Sequence, residues 1–124
     1  MCVVANLPGD PPDPDVELVR RIFELRQRFW PDGTPAHPVN LPAASAVREK
    51  FSQAVFGVSV KAMVGYWNER YFHGTRPPPS LASEQAVLLY VARTKGGVGY
   101  VKADSADALP DGVKKVLCVD TEGA

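Results

Sequence analysis

The apolar positions along this chain change period several times, and each change marks an element. Cys2-Val3-Val4-Ala5-Asn6-Leu7 is a short apolar run that predicts a buried strand. Pro8 to Pro12 is a turn or stiff linker. Asp13-Pro14-Asp15 predicts a helix start, with Asp13 as cap, Pro14 at the first helical position and an acid in the first turn. Val16, Val19, Ile22, Phe23 and Phe29 then recur at helical spacing. Arg20, Arg21, Arg26 and Arg28 fall on or beside the other face, as a solvated surface or a partner surface. Trp30 to Pro35 is a tight turn punctuated by Pro and Gly, and residues 36–41 predict the second strand.

Ser45 predicts the next helix start, because its hydroxyl is a good N-cap before Val47, Phe51, Ala54 and Val55. Gly57 ends that helix. Ser59 caps a third, in which Val60, Met63, Val64, Trp67 and Tyr71 form a stripe expected to face the core. Gly74 closes it, and Thr75-Arg76-Pro77-Pro78-Pro79 reads as an extended strap. Ser83 caps a fourth helix with Ala86, Val87, Leu88 and Val91 inward, stopped by Thr94-Lys95-Gly96-Gly97. Val98 to Val101 is a strand whose Gly99 permits close packing. Asp104 to Gly112 is a polar loop, Val113 to Val119 the last strand, and Asp120 to Ala124 a frayed tail. Interleaved strands and helices of this kind predict one α/β domain over residues 1–124, a small mixed sheet flanked by about four helices.

Composition narrows the function classes. Apolar residues make up 45% of the chain, enough for a core. Basic and acidic side chains balance at 14 each, so there is no basic excess for nucleic acid and no cluster for a membrane surface. No apolar run is long enough to span a bilayer, and no signal peptide is visible. Met1 directly precedes the first strand, as in a mature secreted domain given a start codon or in a plain cytoplasmic chain. Cys2 and Cys118 sit in apolar segments near the two ends, as buried thiols or as a disulfide in an oxidising compartment. Neither cysteine has metal-ligand spacing, so no metal is expected.

Catalysis is not expected either, nor is a cofactor. His37 beside Pro38 and His73 beside Gly74 stand alone, and no Gly-x-Ser-x-Gly or HExxH occurs. Thr94-Lys95-Gly96-Gly97 lacks the leading glycine and the hydroxyl after lysine of a phosphate-binding P-loop.

Several of these stretches together resemble a known family. They are Ile22-Phe23, Trp30-Pro31-Asp32-Gly33, Pro38-Val39, Ser45 with Phe51 six later, and Thr94 to Val101. The set is similar to one lobe of the solute receptors of phosphate ABC transporters, in the type 2 periplasmic-binding-protein superfamily. Gly96-Gly97-Val98-Gly99-Tyr100-Val101 resembles the family's P-G-A-I-G-Y-V, and Tyr66 to Pro78 looks like a small single-lobe branch. The resemblance covers residues 16–101 and implies a single-lobe, non-enzymatic, periplasmic solute-binding protein.

That likeness places a small phosphate-like anion at the helix start, where unpaired N–H groups and the helix dipole favour negative charge. Ser45, the N–H groups of Ala46 and Val47, and nearby Asn40 and Arg48 are the candidate ligands. In the receptors this bend reads R-x-D-G-S-G-T. Here Leu41, Ala43, Ala44, Ala46 and Val47 stand at the other aligned positions, and Ser45 alone matches. Each charge-assisted bond so lost is worth about 1.5–3 kcal/mol. The alternative is therefore a binding-protein-derived interaction or dimerisation module without its ligand, with Trp67/Tyr71 and Arg76 to Pro79 as surfaces. A second copy, a transporter permease or a sensor is the implied partner, because one lobe supplies one wall of a cleft.

Overall fold

Strand β1 (Cys2–Asn6) runs down the middle of the sheet, which explains why its apolar run is unbroken: both faces are covered. The computed structural model describes residues 1–119. The other strands are β2 (His37–Pro38), β3 (Gly97–Val101) and β4 (Val113–Cys118). Their order is β2-β3-β1-β4, with β1 antiparallel to both β3 and β4, and β2 parallel to β3. Four helices accompany this open sheet: α1 (Val16–Phe23), α2 (Ala46–Phe51), α3 (Val64–Phe72) and α4 (Glu84–Arg93). The architecture is mixed α/β.

Alternation along β3 decides which helix covers which face. Gly99 and its partner Val4 face α4. A Cβ on Gly99 would lie 2.4 Å from Val87 Cγ1, so only hydrogen fits beneath that helix. Tyr100 points to the opposite face. Its ring stacks on Phe51 of α2, with centroids 4.0 Å apart and planes 10° apart, and lies 6.0 Å from Phe23 of α1. Gly96 has φ +83° and its Cβ would lie 1.8 Å from the Pro35 carbonyl oxygen, so the strand entry requires glycine on both counts. The Gly96 carbonyl accepts the Trp30 indole N–H at 3.0 Å, which anchors the Trp30–Pro35 turn on the sheet.

Several boundaries differ from the sequence expectation. Asp15, not Asp13, caps α1: its Oδ1 accepts the Glu17 N–H at 2.9 Å, and Pro14 precedes the cap. The helix stops at Phe23 through a paired C-terminal motif, Leu25 N–H to Ile22 O and Arg26 N–H to Arg21 O. Leu25 takes the left-handed position, φ 60°, usually given to glycine. Phe29 is thus off the helix, exposed, and bridged to Pro35. Arg20 donates to the Val55 carbonyl and pairs with Glu17, while Arg21 donates to Gln27. The second strand pairs with β3 over only His37 and Pro38, because Asn40 turns to pair with Ser80 of the strap. α2 runs on as a π-helical turn, Ser52–Phe56, before Gly57. The last strand ends at Cys118, and the tail from Asp120 lies outside the described residues.

The largest correction concerns α3. Its predicted inward stripe splits: Met63, just before the helix, is buried and Val60, Met63 and Trp67 border a cleft with Phe23 and Phe51, but no residue of α3 itself is buried and Val64 and Tyr71 face out. Tyr66 donates to the Glu24 carbonyl at 2.9 Å and Arg70 to the Leu25 carbonyl at 3.2 Å, so these two polar groups share the inner side with Trp67. Val64, Tyr71 and Phe72 face solvent.

Candidate functional site

The bend from Asn40 to Arg48 is built as expected at one point. Ser45 has extended backbone, and its Oγ accepts the Arg48 N–H at 3.2 Å. That bond uses the oxygen as acceptor for the helix start.

Asn40 and Arg48 also bond within the chain. Asn40 is 6% exposed. The Tyr100 hydroxyl donates to Asn40 Oδ1 at 2.9 Å and accepts the Leu41 N–H at 3.1 Å. The backbone of Asn40 is held from the other side, its N–H by Pro79 O and its carbonyl by Leu81 N–H, each at 2.8 Å. The Arg48 guanidinium donates to Leu41 O at 3.1 Å and to Ser80 Oγ at 3.4 Å. Burial, partly offset by the Leu41 bond, pushes the Tyr100 phenol up to about 12. The strap, the bend and β3 therefore form one closed hydrogen-bonded node.

The five candidate residues do not form one seat. Asn40 and Arg48 border a cleft of about 10 Å³, shared with Phe51, Ser52 and Trp67, with room for one water at most. Ala46 and Val47 instead line a separate cavity of about 570 Å³. Lys50, Lys102, Asp104 and the Cys2–Cys118 bond complete much of its wall. Ser45 lines neither. The N–H groups of Ala46 and Val47 have no protein acceptor among the described residues. Lys50 and Lys102 were not candidates in the sequence reading. They lie far apart along the chain, and no motif joins them. In the sequence Tyr100 stands out as a strand residue within the Gly96 to Val101 stretch, with no sign of its bond to Asn40.

The two cysteines are bonded rather than free. Cys2 and Cys118 are register partners on β1 and β4, with Cα atoms 4.1 Å apart. Cys2 is buried and Cys118 exposed. His73 Nε2 lies 3.2 Å from Glu69 Oε1, one helical turn earlier. Among the described residues, no three His, Cys, Asp or Glu side chains gather as a metal site would require, and no helix is long and apolar enough to cross a membrane. No family model matches the chain, and no curated protein matches it.

Proposed function

We propose that this protein is a non-enzymatic lobe of the phosphate-receptor type that acts by assembly with another chain rather than by gripping a solute. The single observation that carries this reading is the closed node. Arg48 donates to Leu41 O and Ser80 Oγ, Asn40 Oδ1 and Ser45 Oγ accept from the Tyr100 hydroxyl and the Arg48 N–H, and the cleft beside Asn40 and Arg48 holds about 10 Å³, too little for a phosphate. An anion entering there must open that cleft and displace the Arg48 bonds, each costing about 1 kcal/mol or more. The Cys2–Cys118 bond supports an oxidising, periplasm-like compartment. A second copy, a transporter permease or a sensor is the matching class of partner.

A second reading is favoured by the large cavity. A small phosphate-like anion would meet the open N–H groups of Ala46 and Val47 and the Lys50 ammonium there. Thermal melting with millimolar phosphate, sulfate and small carboxylates separates the two. The assembly reading expects no anion-dependent shift, and a uniform loss of about 1 kcal/mol in Ser45→Ala from the missing cap. A saturable shift, reaching about 2.7 kcal/mol at 100 times the dissociation constant and lost in Lys50→Ala, establishes the anion reading instead.

A further inference from the structure

The outer face of α3 is self-complementary under a two-fold axis, and we infer that it is where a second copy of this chain docks. The inference rests on the assembly reading and names its partner. Tyr66 and Arg70 point toward α1, so Asn68 marks the outward direction. At about 100° per residue, Val64, Gly65, Asn68, Tyr71 and Phe72 all lie within about 60° of it. Asn68 is the middle residue of the nine in α3. Val64 and Gly65 lie before it, and Tyr71 and Phe72 after it, at the same spacing.

An antiparallel second α3, related by a two-fold axis through Asn68, places large against small on both flanks. Phe72 comes over Gly65 of the second copy, and Tyr71 over Val64; both contacts recur by symmetry. Gly65 has open space where its Cβ would stand. Phe72 is 85% exposed, Tyr71 62% and Val64 52%, an apolar stripe that no other described residue covers. The Asn68 side chains meet at the axis, where two carboxamides satisfy each other and an apolar partner helix leaves one unpaired. That central polar match favours a second copy over an unrelated apolar helix. A helix of this length is about 13 Å long, short of the roughly 800 Å² per partner of a standard interface, so the pairing is weak and reversible.

Sedimentation over a wide concentration range tests this in the intact, disulfide-bonded chain. Concentration-dependent dimer is expected. Phe72→Asp, at an exposed position that leaves the fold's melting unchanged, should weaken dimerisation about tenfold or more. Asn68→Cys should form a covalent dimer on mild oxidation under native conditions, whereas Gln85→Cys, exposed on α4, should not. A monomer at all concentrations overturns the inference and leaves the face to a foreign partner, with the assembly reading intact. A dimer indifferent to Phe72→Asp also overturns it. An anion-dependent melting shift counts against the assembly reading alone, so the two failures are distinguishable.

Discussion

Replacing Tyr100 with Phe isolates the hydroxyl that closes the Asn40 node. The ring and its stack on Phe51, 4.0 Å away, remain. What disappears is one donor to Asn40 Oδ1 and one acceptor for the Leu41 N–H. Leu41 is 3% exposed, and its N–H is left without a partner in an apolar surrounding. Such an orphan costs about 1–3 kcal/mol. Asn40 Oδ1 is orphaned too, although the 10 Å³ cleft beside it admits about one water and softens the loss. The sum is about 2–4 kcal/mol, a fall in melting temperature on the order of 10 °C for a chain of this size. Urea unfolding followed by circular dichroism measures it. Asn40→Ala and the double variant complete a cycle, in which the two losses should fall short of additivity by about 1 kcal/mol or more. A cost below about 0.5 kcal/mol for Tyr100→Phe refutes the reasoning.

Gly96→Ala should cost more than Gly99→Ala. The first meets a backbone oxygen at 1.8 Å from a left-handed φ, the second the movable Val87 methyl at 2.4 Å, for which about 1–3 kcal/mol is expected; denaturant midpoints in the reverse order would contradict both contacts. Replacing Cys2 and Cys118 together by serine opens a loop with a sequence separation of 116 and should lower stability by about 2–5 kcal/mol, read from urea curves with and without reductant. The Tyr100 phenol is raised from 10.0 to about 12, so its neutral form stabilises the fold fully below its unfolded value and that contribution is lost as pH climbs through the folded one. Burial raises the Tyr66 phenol as well, so alkaline difference absorbance should show a last phenol step accompanying unfolding that is absent from Tyr100→Phe.

The sheet was legible because its strands are short apolar runs bounded by Pro and Gly, and the caps Ser45 and Ser83 were legible because a hydroxyl before an apolar period has a local mechanism. The end of α1 was hidden because Leu25, not glycine, holds the left-handed position. α3 misled because its period is helical whichever side the apolar stripe faces. The orientation comes from Tyr66 and Arg70 meeting the carbonyls of Glu24 and Leu25, groups more than 40 residues earlier in the chain. The site was only partly legible for the same reason. Spacing brought Asn40, Ser45 and Arg48 together, but their hydrogen-bond partners Tyr100 and Ser80 arrive by tertiary pairing.

Where unspent chemistry lies is the stronger guide to function. A receptor for a small anion keeps its donors unpaired until the solute arrives, since binding energy comes from bonds the empty protein does not already make. Here the Arg48 guanidinium already donates to Leu41 O and Ser80 Oγ, and the cleft beside it and Asn40 has room for one water at most. Among the exposed large apolar side chains, Val64, Tyr71 and Phe72 share one helix face. Burying such side chains stabilises a complex by about 1.5–3 kcal/mol each when the partner excludes water fully. The balance of 14 basic and 14 acidic residues adds no long-range pull on a charged partner. Association driven by that helix should therefore depend only weakly on salt, whereas an anion held by Lys50 and two backbone N–H groups should be released by it.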